Sequence, residues 1–140
     1  MAYFVEEIIK FLEEQLKVER VEADSDIHHD LGVTGDEFFE MIAEYSKKFN
    51  VDLENYNWYF HSDEEGVLSI GALFFKPPYK RVQRIPVTPQ MLTDFANKRK
   101  WDLQYPAHYI PARRWDLIIN RVLAILTVAA MCVFAIVKCG

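Results

Sequence analysis

Cysteine is almost missing from this 140-residue chain: there are two, Cys132 and Cys139, and none before position 132. That excludes a disulfide framework and a cysteine-based zinc site, and it fits a reducing compartment. Glycine is scarce too, at five residues, and none of them builds a phosphate-cradling loop. HExxH and nucleophile-elbow patterns are absent, as are repeats and low-complexity segments. The opening stretch MAYFVEEIIKFLEEQ has no basic n-region, so a cleaved secretory signal is not expected. Basic residues are few in the front half. Residues 1–65 hold 18 acids and 5 bases, net −13, and residues 66–140 hold 3 acids and 11 bases, net +8, which sum to the total of −5. An acidic half of that size repels phosphate, so no nucleic-acid partner is expected.

The feature present in excess is apolar sequence near the C-terminus. Val122 to Val137 (VLAILTVAAMCVFAIV) is 16 residues without a charge, and extending back to Leu117 gives 21. A bilayer needs roughly 20 apolar residues to cross about 30 Å of hydrocarbon. Arg121 and Lys138 bound the run and can snorkel to the headgroups, and Arg113, Arg114 and Trp115 form a basic and aromatic interfacial anchor before it. A helix apolar on every face would otherwise need burial on all sides, which a chain this small cannot provide. The reading is a tail-anchored protein with a folded domain over 1–104, a juxtamembrane linker over 105–116 and a transmembrane helix over 117–137. More positive charge precedes the span than follows it, which places the folded domain in the cytoplasm. Cys132 then lies within the bilayer and Cys139 beyond it.

Within the folded part, Phe4, Ile8, Leu12 and Leu16 recur at four-residue spacing and predict a first helix, with Glu6, Glu7, Glu13 and Glu14 opposite. Thr34-Gly35-Asp36-Glu37 fits a capping box, and Phe38, Ile42, Tyr45 and Phe49 carry a second helix to a stop at Asn50. Asp36, Glu37, Glu40 and Glu44 form its acidic face. Val67–Phe75 and Arg81–Val87 read as extended segments of a small β-hairpin, preceded by a turn at 62–66. Thr88-Pro89 opens a further helix with Met91, Leu92, Phe95 and Ala96 inward. Trp101–Pro111 reads as a stiff aromatic linker to the membrane.

The helix, the long polar loop and then Asp30-Leu31-Gly32-Val33-Thr34-Gly35-Asp36 at the head of an acidic helix resemble an acyl carrier protein over about residues 3–54. The resemblance implies a helical carrier fold whose acidic second helix is recognised by partner proteins, here through Asp36, Glu37, Glu40 and Glu44. In that family the matching stretch runs Asp-Leu-Gly-x-Asp-Ser-Leu and its serine carries phosphopantetheine. Gly35 stands at the serine's position and Thr34 at the aspartate's, so no arm and no cofactor are expected. Residues 85–101 are similar to the last helix of a group of uncharacterised enterobacterial acyl-carrier-like proteins. The expected fold class is therefore mainly α with a small β-hairpin, an acyl-carrier-like helical domain followed by one transmembrane helix.

Other chemistry is thin. His28 and His29 beside Asp26 and Asp30, and His61 near Asp63, Glu64 and Glu65, read as solvated loop histidines with no metal site. The basic residues Lys76, Lys80, Arg81 and Arg84, with Lys98–Lys100 and Arg113–Arg114, suit anionic headgroups or the chain's own acidic half. The function expected is a non-catalytic tail-anchored protein that recruits or regulates a protein partner with a basic surface; membrane lipid is its other contact. The alternative is an acyl carrier or lipid-pathway accessory that still handles acyl chains.

Overall fold

In the computed structural model, which describes residues 1–64 and 69–140, the predicted apolar stripe becomes the inward face of α1 (Val5–Leu16), with Ile8, Phe11 and Leu12 buried. The Phe4 amide donates to the Glu7 carboxylate at 2.8 Å and closes the first turn. Lys17 ends α1 in the left-handed region at φ 56°. A second helix, α2 (Gly35–Phe49), buries Phe38, Met41, Ile42, Tyr45 and Phe49. Asp36 and Glu37 in its first turn, and Lys47 and Lys48 in its last, complement the helix dipole. Asn50 stops it at φ 52°, as its sequence position predicts.

Two short elements follow: a 3-10 turn at Trp58–Phe60 and a five-residue helix, α3 (Ile70–Phe74). After a second 3-10 turn at Pro78–Lys80 comes α4 (Pro89–Lys98), where Thr88 caps the Met91 amide at 3.3 Å. The last helix is α5 (Trp115–Cys139). Helices α1, α2 and α4 enclose one core: Phe11 meets Phe49 edge-on at 5.5 Å, the Tyr45 hydroxyl donates to the Leu92 carbonyl, and Phe95 packs on Trp101 at 4.6 Å. Each such side chain contributes about 1.5–3 kcal/mol by leaving water.

The expected hairpin does not form among the described residues. Ile70–Phe74 is helical instead, and residues 81–87 form no strand, beginning in a bend at 81–82: the Ile85 amide donates to the Phe60 carbonyl and the Ile27 amide to the Val87 carbonyl. Val67 and Leu68 of the expected strand, and Glu65 and Gly66 of the expected turn, lie outside the described residues. The one sheet-like contact among them is a parallel bridge between Asp52 and Lys100. Tertiary contact overrides strand propensity here, because α3 is clamped against α5. The Gly71 amide donates to Asn120 Oδ1 at 2.8 Å, and Asn120 Nδ2 donates to Ser69 Oγ at 2.8 Å. Ser69 Oγ also accepts from the Ala72 amide and so caps the short helix.

The segment 101–111 departs from its reading as a linker. Trp101 is 1% exposed and belongs to the core, and Tyr105 and His108 pack against the aromatic turn at 58–60. This strap carries the chain from α4 to α5 while remaining attached to the domain. Helix α5 spans 25 residues, about 37 Å at 1.5 Å per residue. It is long and apolar enough to cross a membrane, and none of its apolar stretch is buried by the rest of the protein.

Candidate functional site

The start of α2 is built from two distant pieces of chain. Gly35 is buried and enters the helix with φ 54°, in the left-handed region where a side chain costs about 1–2 kcal/mol. Its amide donates to Ser62 Oγ at 3.1 Å, and Ser62 is itself 3% exposed. The expected Thr34 capping box is therefore replaced by a serine 27 positions away, and the Thr34 side chain makes no cap bond. A serine at position 35 would meet backbone strain as well as an occupied amide.

From that end the acidic face runs outward. Asp36, Glu37 and Glu40 are exposed, and among the described residues no cation lies within ion-pair distance of them. Glu44 differs: it is half-buried and holds Lys47 at 2.7 Å, so its charge is compensated within the helix. The open acidic patch is thus three residues, with Lys47 and Lys48 at the other end of α2.

The loop before α2 is organised by carboxylates. Asp26 accepts from the His28 and His29 amides and takes a two-pronged contact from Arg84 at 2.6 and 3.1 Å. Burial pushes the Asp26 carboxyl up, but Arg84 and those amides outweigh it and hold it below the ordinary value. One member of the basic cluster thus serves the acidic half. His29 is exposed beside Asp30 at 3.0 Å, and His28 lies 3.5 Å from Asp63. Among the described residues no three His, Cys, Asp or Glu side chains converge as a metal site.

His61 is not a loop histidine. It is 0% exposed, stacked on Tyr56 with ring planes 8° apart. Its Nδ1 lies 2.9 Å from the Ile85 carbonyl, which only accepts, so Nδ1 carries the proton. Nε2 then accepts from the Tyr105 hydroxyl at 2.8 Å, and the Tyr105 oxygen accepts from Trp101 Nε1 at 2.8 Å and from the Asn57 amide at 3.2 Å. Both His61 nitrogens, the Tyr105 hydroxyl and Trp101 Nε1 are partnered, whereas the buried Tyr56 hydroxyl beside them has no hydrogen-bond partner. Burial drives the His61 pKa down to about 4. The sequence signal was the preceding aromatic run Trp58-Tyr59-Phe60, which makes a core position a better reading than the acids after it.

At the base of α5, three of the four expected membrane-surface residues are open and one is not. Trp115 is 43% exposed, with the Arg113 guanidinium 5.9 Å from its ring centre, and Arg121 is exposed. Arg114 is instead consumed inside the protein. It forks onto Glu64 at 2.7 and 2.9 Å and onto Asp116 at 2.7 and 3.0 Å, joining the turn after Ser62 to the first turn of α5. Asp116, 4% exposed, also sits at the positive end of the α5 dipole. Both cysteines are exposed on α5.

A family described as protein of unknown function (DUF1493) matches residues 1–104, the whole helical domain with the start of the strap. No curated protein and no solved structure matches the chain.

Proposed function

The chain belongs to the DUF1493 family, and from that premise we propose a non-catalytic, single-pass membrane protein that recruits or regulates a protein partner. In this reading a degenerate acyl-carrier-like domain is presented at the cytoplasmic face of a bacterial inner membrane, with α5 as its anchor. The observation that carries the reading is the uncompensated patch of Asp36, Glu37 and Glu40 on a domain joined to an exposed apolar helix. Three carboxylates without cations attract a basic surface, accelerate encounter and lose that advantage as salt rises. Arg113 and Arg121 before the apolar run, against Lys138 after it, favour the cytoplasmic orientation.

Reversing Asp36, Glu37 and Glu40 to lysine should reduce recovery of the partner from detergent-solubilised membranes by 10-fold or more, and recovery from the unreversed chain should fall with added salt. Equal recovery with the reversed patch ends the docking assignment. The carrier alternative predicts a different result. It calls for a gain of one phosphopantetheine arm on co-expression with a phosphopantetheinyl transferase, whereas the non-carrier reading expects an unmodified intact mass, because Gly35 offers no hydroxyl and Ser62 Oγ is buried against the α2 amide. A gain of one arm would overturn the non-carrier assignment.

A further inference from the structure

The apolar sequence of this protein is not confined to α5. Helix α3 and the residue that ends it turn Leu73 (82% exposed), Phe74 (72%) and Phe75 (40%) to the outside, a concentration of large apolar surface found otherwise on α5. Scattered exposed leucines are ordinary, but three consecutive large ones on one short element mark a contact surface. Two further observations say what covers it.

The first is position along α5. Gly71 packs so closely on α5 that a Cβ there would overlap the Asp116 backbone, and Asn120 bonds both Gly71 and Ser69. These contacts place α3 beside the first turn and a half of α5, between Asp116 and Asn120. That stretch lies just outside the uncharged run starting at Val122, which is the depth where headgroups give way to acyl chains. The second is the chemistry around it. Phe75 lies against Trp115 at 6.3 Å between ring centres, and Lys76, Arg81 and Arg113 are exposed next to this aromatic pair. Apolar tips flanked by aromatic rings and free cations are the composition of an element lying in a membrane interface.

We propose that α3 is a second membrane-contacting element, with Leu73, Phe74 and Phe75 set among the lipid acyl chains beside the head of α5. Lys76, Arg81 and Arg113 then lie at the level of the lipid phosphates. The inference rests on α5 being the anchor. It adds a surface from the domain itself, so that the protein grips the bilayer at two points fixed relative to one another.

The test uses the full chain with Cys132→Ser and Cys139→Ser, reconstituted in vesicles of phosphatidylethanolamine and phosphatidylglycerol. A nitroxide is placed at Leu73→Cys, Phe74→Cys, Val128→Cys or Glu40→Cys, and collision rates with oxygen and with a water-soluble nickel chelate are compared. At positions 73 and 74 oxygen should exceed nickel several-fold, as at position 128, while position 40 shows the reverse. Nickel in excess at 73 and 74 places them in water and overturns the proposal. Low collision rates for both reagents place them under protein, in a partner or a second copy, and overturn it equally. Nickel in excess at position 128 is a separate failure, that of the anchor itself.

Discussion

Replacing Tyr105 with phenylalanine is expected to lower the unfolding free energy of the helical domain by about 3 kcal/mol, read by urea unfolding of the full chain in detergent. One hydroxyl is removed, yet three groups lose a partner: His61 Nε2, Trp101 Nε1 and the Asn57 amide. Trp101 and His61 are buried too deeply for water to substitute freely. A loss below about 0.5 kcal/mol, the range of neutral surface changes, would mean that the knot is not satisfied as described. The same knot sets a pH dependence. Burial holds the His61 pKa at about 4, with the Ile85 carbonyl opposing the shift and the Arg84 charge adding to it. In the unfolded chain a histidine titrates near 6.5. The unfolded state therefore binds the extra proton first. Stability is complete above that value and is lost as pH falls toward 4, by about 2 kcal/mol between pH 7 and pH 5. Asp26, with its pKa below the ordinary 3.8, loses its contribution only at still lower pH, so the two windows separate. A His61→Gln chain should lose the upper window; a wild-type curve flat from pH 7 to 5 would refute the assignment.

A methyl group at position 71 is expected to part α3 from α5. The atoms that a Gly71→Ala side chain meets are the backbone oxygen, carbon and Cα of Asp116, none of which can rotate aside. Overpacking of this kind costs about 1–3 kcal/mol, and the retreat also breaks the Asn120 bridge to Gly71 and Ser69. Amide hydrogen exchange at Ala72 and Phe75 should accelerate by about 10–100-fold, the equivalent of about 1.4–3 kcal/mol of lost protection. The Asn57 and His61 amides, held in a separate part of the domain, should exchange as before. Unchanged rates at Ala72 and Phe75 would mean that α3 does not rest on α5.

These two sites are also where sequence reasoning and structure part company, for one physical reason. Helices α1, α2, α4 and α5 are written in local signals: apolar spacing, Thr88-Pro89, Asn50 and an uncharged run. The elements that join them depend on partners far along the chain. Ile70–Phe74 has strand-forming composition and only five residues, too few to show helical period, and its fold follows from Asn120 some 50 residues on. Trp101 and Tyr105 look like linker aromatics until His61, 40 and 44 residues earlier, packs edge-on against the first and accepts from the second. Gly35 shows the same principle, since its cap comes from Ser62 and not from Thr34. On the acidic face, residue types were legible, but only geometry separates the open Asp36, Glu37 and Glu40 from Glu44 with its lysine.

The Asn120 clasp has a mechanical consequence. With α5 as the proposed anchor, Val122–Val137 rises only about 24 Å, less than the hydrocarbon thickness of a bilayer, so tilting would shorten its reach further and an upright posture is favoured. Because α3 and the strap both tie the domain to the head of α5, that posture is transmitted upward like the angle of a mast to the deck bolted around it. The heading of Asp36, Glu37 and Glu40 is then constant with respect to the bilayer plane. Under the proposed docking role, a partner moving along the same surface would meet the patch at one height and one angle, and its search would be reduced to two dimensions.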